Sequence, residues 1–194
     1  LKTGIAANGQ VTLTNATISE NGWVGYSQSN GTVTITNTII SGNSWNAATF
    51  DCSAPGIGTL TSGGGNIIGN LTGCTITPAA NDLFNVDPLL GAFLPSHGTH
   101  PLFPTSPAID NGITAACPAL DQRGMDRLGD SACDSGAYEY ATPGAPAAVW
   151  VETGNLQRAR VDTAYPLPLS AAVLDGQGNP VSGVNVTFTA PLSG

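Results

Sequence analysis

Residues 11–14 read Val-Thr-Leu-Thr and residues 33–36 read Val-Thr-Ile-Thr, with apolar and polar side chains in strict alternation. A period of two places successive side chains on opposite faces of a strand. Asn15 and Asn37 end these runs, Ile18 and Ile40 open a second short strand, and Asn21 and Asn43 end that one. The two stretches are copies. Residues 8–21 (NGQVTLTNATISEN) and 30–43 (NGTVTITNTIISGN) agree at nine of fourteen positions at an offset of 22. A period of this size belongs to stacked architectures, in which one repeat cannot bury its apolar face alone. The expected unit is one coil of a parallel β-helix, with the next coil ~4.8 Å above it and backbone hydrogen bonds between coils. Equivalent side chains then stack: Val11 under Val33, Ile18 under Ile40, and Asn15 under Asn37 as an amide ladder. An antiparallel meander explains the alternation but gives no reason for the 22-residue register.

From about residue 46 the repeat fades. Gly63-Gly64-Gly65-Asn66-Ile67-Ile68-Gly69-Asn70 reads as a worn third coil with tight turns. Asp87-Pro88-Leu89-Leu90-Gly91 and Ser106-Pro107-Ala108-Ile109-Asp110 read as loops. This stretch is expected to cap the open end of the helix, where strand edges would otherwise stand unpaired. Residues 141–148, rich in Pro, Ala and Gly, read as a linker between a domain at 1–140 and a second at 149–194. In the second, Val149 and Val151 alternate, as do Leu167, Leu169, Ala171 and Val173, and then Val184, Val186 and Phe188. With a turn at 175–180, these predict about three strands, half of a β-sandwich that usually takes ~100 residues.

Composition agrees with an all-β chain: 22 Thr, 15 Asn, 25 Gly and 14 Pro leave little room for long helices. Five Lys and Arg against thirteen Asp and Glu give a net charge of −8. That argues against nucleic acid and anionic membrane surfaces as partners, since both need clustered cations. No apolar run reaches the ~18 residues of a membrane helix. The chain opens on Leu1 rather than Met, as expected of a processed product or a fragment of a longer protein. Cys52, Cys74, Cys117 and Cys133 make an even set without C-x-x-C spacing, which favours two disulfides in an oxidising compartment over zinc or free thiols.

Asp110, Asp121, Asp126, Asp130, Asp134 and Glu139 crowd into 30 residues with Arg123 and Arg127. Calcium is one reading of such a cluster, because hard cations take several oxygens. The favoured reading is a salt-bridged structural cap of Asp110, Asp121, Arg123, Arg127 and Glu139, with Arg123 forking onto Asp110, Asp121 or Glu139. The first 50 residues hold only Lys2 and Glu20 as charges, so the coils lack the paired carboxylates of a glycosidase. His97 and His100 flank Gly98 and precede Pro101, a loop pattern that predicts turn or surface positions rather than a metal pair. Trp23, Tyr26 and Trp45 serve either packing or sugar stacking. No catalytic residue, metal ligand or cofactor is assigned, and calcium at the acidic cluster is the one cofactor left open.

Two resemblances rest on longer motifs. Phe50-Asp51-Cys52, Thr61-Ser62-Gly63, Asn66-Ile67-Ile68, Asp87-Pro88-Leu89-Leu90-Gly91, Ser106-Pro107-Ala108-Ile109-Asp110, Asp121-Gln122-Arg123-Gly124 and Cys133-Asp134-Ser135-Gly136-Ala137-Tyr138-Glu139 keep one order. Together they resemble the C-terminal part of the bacterial choice-of-anchor Q / CSLREA group of right-handed parallel β-helix surface proteins. Ser135 stands where that group prefers Ile. The resemblance implies a right-handed β-helix and the pairings Cys52–Cys74 and Cys117–Cys133. Thr153-Gly154-Asn155-Leu156-Gln157, the run from Asp175 to Val184, and Val186-Thr187-Phe188 are similar to the first half of the bacterial Ig-like domain of invasin and intimin. That family implies stalk modules on secreted or surface-anchored proteins.

The resulting expectation is a non-catalytic structural or adhesive protein outside the cell or on its surface. Its expected partners are further copies of the chain, joined through open β edges into oligomers or filaments, and a glycan or other host-surface ligand. No membrane insertion is expected in this segment. The alternative is a carbohydrate-active β-helix enzyme acting on polysaccharide.

Overall fold

The computed structural model describes residues 4–46, 48–53, 57–95, 97–127, 129, 132–160 and 162–189; Leu1, Lys2 and Asp130, named above, lie outside them. The chain divides into two compact units, Leu1–Tyr140 and Ala141–Gly194. Both are built of strands, and the helical structure among the described residues is one 3-10 turn at Thr114–Ala116.

In the first unit the 22-residue offset becomes backbone register. β1 (Ile5–Thr14) lies parallel to β3 (Tyr26–Thr36), with Val11 opposite Val33 and Leu13 opposite Ile35. β2 (Thr17–Ser19) lies parallel to β4 (Ile39–Ser41), with Ile18 opposite Ile40. The chain passes from one sheet to the other at Asn15 and Asn37, whose φ angles of 47° and 50° are left-handed. Asparagine tolerates that region better than other side chains. A bulge after Ala7 shifts the register by one, so Ile5 faces Tyr26.

The geometry outlasts the sequence similarity. β8 (Thr59–Ser62) joins β3 with Leu60 opposite Val33, β9 (Ile67–Ile68) joins β4, and β10 (Leu83–Phe84) joins β9. Ile18, Ile40, Ile68 and Phe84 therefore form one column at spacings of 22, 28 and 16 residues. The longer interval holds an antiparallel hairpin of β5 (Ser44–Trp45) and β6 (Ala48–Thr49), then β7 (Cys52–Ser53), which pairs with the start of β3.

One core lies between the two sheets, where Tyr26, Val33, Ile35 and Leu60 meet Ile18, Ile40 and Ile68. A second lies on the outer face of the β2-β4-β9-β10 sheet, where Ile39 and Ile67 pack on Leu102, Ala108 and Tyr138. Adjacent residues of a strand point to opposite faces, so each Ile-Ile doublet feeds both cores. This corrects the expectation of an end cap. The segment from Val86 to Tyr140 covers the flank of the stack, because an apolar outer face needs cover as much as an open edge does. Residues 133–137 cross the rungs as a strap. Asn15 Nδ2 donates to Asp134 O (2.9 Å), Gly136 N to Asn37 O (2.7 Å), Ser135 Oγ to Gly65 O (2.6 Å) and Ala137 N to Thr17 Oγ1 (2.9 Å). Cys52–Cys74 and Cys117–Cys133 are disulfide-bonded.

In the second unit β11 (Pro146–Thr153) pairs antiparallel with β12 (Ser170–Asp175), Val149 opposite Val173. Pro146–Ala148, expected in the linker, belong to β11. The strand expected at 184–188 does not form: pairing with β12 stops at Pro180 and Val181, and Val184, Val186 and Phe188 are exposed. A strand needs a hydrogen-bonded neighbour, and past Val181 the chain has left β12.

Candidate functional site

Three groupings of polar residues stand out in the first unit. The first is a set of columns across the rungs. Asn37 Nδ2 donates to Asn15 Oδ1 at 3.1 Å, and Asn37 Oδ1 accepts from the Ile113 N–H at 2.7 Å. Two more columns were not anticipated. Asn43 Oδ1 accepts from Asn21 N and Nδ2, while Asn43 N and Nδ2 donate to Asp51 Oδ1. Thr38 N donates to Asn66 Oδ1, and Asn66 N and Nδ2 donate to Asp82 Oδ1. Asn43 continues the visible 22-residue offset from Asn21, which could have flagged the second column. The third pairs Asn66 with residues outside the repeat. Burial pushes the Asp51 carboxyl up from its ordinary range, against the hydrogen bonds from Asn43. Burial also pushes Tyr26 up to about 12.

The second grouping is the charged cluster on the flank. Asp121 Oδ1 accepts from the N–H groups of Arg123 (2.7 Å) and Met125 (2.9 Å). Its Oδ2 accepts from Arg123 Nε (2.9 Å) and Glu139 N (3.0 Å) and forms an ion pair with Arg123 Nη2 at 2.9 Å. Burial draws the Asp121 pKa upward, but the Glu139 and Met125 N–H donors and the Arg123 charge outweigh it and hold the carboxyl low. Arg127, 1 % exposed, pairs with Glu139 Oε2 at 2.8 Å and donates to Gly136 O at 2.8 Å. Arg123 lies over the Tyr138 ring, its Cζ 3.6 Å from the centroid. Arg123 therefore takes Asp121 as its carboxylate and meets Glu139 through the backbone oxygen. Asp110 joins the cluster through its N–H to Asp134 Oδ1, and its side chain is exposed. Asp134 is the member that the proposed cap set left out. Oxygens filled by N–H donors hold loops together. Among the described residues, no group of three or more His, Cys, Asp or Glu is placed to hold a metal ion.

The third is a cleft of about 280 Å³ where the flank meets the first rung, lined by Ser19, Glu20, Phe93, Thr99, His100 and Gln122 among others. His100 is buried rather than at the surface. Its Nδ1 lies 3.0 Å from Gly91 O, so that nitrogen carries the proton and donates. Phe93 packs on the His100 ring at 5.3 Å between centroids and stays 45 % exposed. Gln122 Nε2 donates to Gly98 O at 2.9 Å. The cleft was not legible in the sequence, because its residues come from segments 70 or more positions apart. Of the aromatic residues weighed for stacking, Tyr26 is in the core, and Trp23 and Trp45 stack on each other at 4.6 Å, one offset of 22 apart.

No family model, curated protein or solved structure matches this chain.

Proposed function

We propose that the chain is a non-catalytic structural and adhesive segment of a secreted or cell-surface protein. In this reading the first unit is a right-handed parallel β-helix of the choice-of-anchor Q / CSLREA type. The second is the first half of an invasin-type Ig-like domain. The observation that carries the reading is the parallel ladder running through four rungs and clasped from the side by the 133–137 strap. Such a ladder resists bending, because its backbone hydrogen bonds join rung to rung. Two disulfides suit an oxidising compartment. No helix among the described residues is long and apolar enough to cross a membrane. β1 and β2 each pair on one side only among the described residues, which offers an edge for a second copy.

A second reading, a polysaccharide-cleaving enzyme, draws on one observation: Glu20 and His100 line the same cleft. One experiment separates the two. The purified chain is passed over immobilised polysaccharides, and both retention and released reducing ends are measured. Retention without release supports the adhesive reading. Release that is lost in Glu20→Gln replaces it with the enzyme.

A further inference from the structure

We infer that residues 185–189 of one copy add as a parallel strand to the open edge of β1 in a second copy, so that chains join head to tail. The inference deepens the proposed function and rests on its reading of the first unit as a stack of rungs.

The two ends of the stack are finished differently. At one end Leu60 is 6 % exposed, and the segment after it brings Leu71 and Ile76 against the same core. At the other, Val11 and Leu13 are only partly buried, although Val33 and Ile35, opposite them in the next rung, are fully buried. Among the described residues β1 pairs with β3 alone. Asn15 N donates to Thr36 O, on the β3 side. Successive residues of a parallel strand send their backbone groups to alternate sides, so Thr12 and Thr14 turn their N–H and C=O groups away from β3. Past the bulge at Ala7, residues 8–14 hold no charge and no proline, the usual guards of a strand edge.

The second unit holds a segment of matching pattern. Residues 186–189 read Val-Thr-Phe-Thr, against Val-Thr-Leu-Thr at 11–14 and Val-Thr-Ile-Thr at 33–36. Each comparison gives identity at three of four positions and a large apolar residue at the fourth. β1 already lies on β3 with Val11 opposite Val33 and Leu13 opposite Ile35. The same pattern laid on β1 puts Val186 opposite Val11 and Phe188 opposite Leu13. In that register the Phe188 N–H meets Thr12 O, and the Thr12 N–H meets Val186 O. The segment is available for this pairing. Val186 and Phe188 are 36 % and 52 % exposed, and no hydrogen bond to residues 184–189 is found among the described residues. Pairing would withdraw Val11, Leu13, Val186 and Phe188 from water together. Neither 8–14 nor 184–189 carries a charge, so the net charge of −8 on each copy is not brought to the contact. Edge and segment are different patches, so each copy that joins still offers one of each. Such a heterologous contact extends into a filament where it does not close into a ring.

The test is sedimentation equilibrium of the full chain over a concentration series, for the wild type and two variants. Thr12→Pro removes the N–H that β1 turns to its open side. Phe188→Lys replaces the largest apolar side chain of the segment with a charge. The wild-type average mass is expected to climb past the dimer without a plateau, with a Kd per contact on the order of 0.1 mM. Each variant alone is expected to stay monomeric. A mixture of the two is expected to stop at the dimer, because Thr12→Pro still offers its segment and Phe188→Lys still offers its edge. Phe188→Lys changes an exposed, unpaired residue, so it carries the test even if Thr12→Pro disturbs β1. The inference is overturned if the wild type stays monomeric, if it stops at a dimer as pairing of two β1 edges would, or if Phe188→Lys assembles like the wild type. A monomeric chain that is retained on immobilised polysaccharide sinks the assembly and leaves the adhesive reading standing. Assembly without retention does the reverse.

Discussion

The two units use the same kinds of residue to opposite effect. In the first, Ile39, Ile40, Ile67 and Ile68 are each fully buried, because their sheet has a second sheet on one face and the flank segment on the other. In the second, Val149 is 61 % exposed and Val151 49 %, and among the described apolar residues of its strands Val173 and Leu174 alone are buried. Alternation alone does not make a core; each face needs something laid upon it. The second unit is organised by polar contacts instead. Asp175 accepts from the N–H groups of Gly144, Gln177 and Asn179 and from the Asn179 side chain. The Gln157 amide donates to Leu167 O and accepts from Leu167 N, both at 2.8 Å. Those contacts shape turns, and shaped turns contribute far less than a buried face.

Reduction should give the largest contrast. Each bridge closes a loop of 22 or 16 residues and should contribute about 3 kcal/mol on the chain-entropy model. Residue-resolved hydrogen exchange on the whole chain, with and without reductant, should show protection collapsing before Tyr140. It should be unchanged after it, where the sequence holds no cysteine. Arg127→Met comes next. It strands Glu139 in a buried site and should cost about 3–5 kcal/mol in urea unfolding, largely recovered in Arg127→Met/Glu139→Leu. Ile67→Ala should cost about 2–5 kcal/mol, against at most ~0.5 kcal/mol for Val151→Ala. Equal costs at these two positions would erase the distinction between a covered and an uncovered face.

The smallest effects are those of pH, and they act on both units. Asp121 is drawn up by burial but held low by its N–H donors and Arg123. Asp175 is likewise drawn up by burial and held low by its ring of N–H donors, Gly144 foremost. A depressed carboxylate contributes stability above the unfolded value of about 3.9 and loses it as pH falls through the folded value. Acid should therefore loosen the two units together, and Asp121→Asn should flatten the response of the first alone. Asp51 has the opposite sign. Its raised value contributes below about pH 3.9 and is lost as pH rises through the folded value. Asp51→Asn keeps an acceptor for Asn43 and should raise the neutral-pH urea midpoint of the first unit.

What the sequence disclosed follows from how far apart the partners lie. The offset of 22 was visible because both copies keep Val, Thr, Asn and Ile at matching positions, and that offset is the ladder register. The fourth rung was hidden because Leu83-Phe84 is too short to show a period. The second buried face was readable in the doublets Ile39-Ile40 and Ile67-Ile68, since a strand with water on one side has no use for two consecutive isoleucines. The cleft left no local trace except Glu20 standing where the next copy has Gly42.

The strap also sets a timetable. Asn15 is joined to Asp134, 119 residues downstream, and Thr17 to Ala137, 120 residues downstream. Loop closure over such distances is slow and is rewarded only when both ends exist. During synthesis the first rungs are made early and wait, with the outer faces of Ile39 and Ile67 bare, until the last part of the unit emerges.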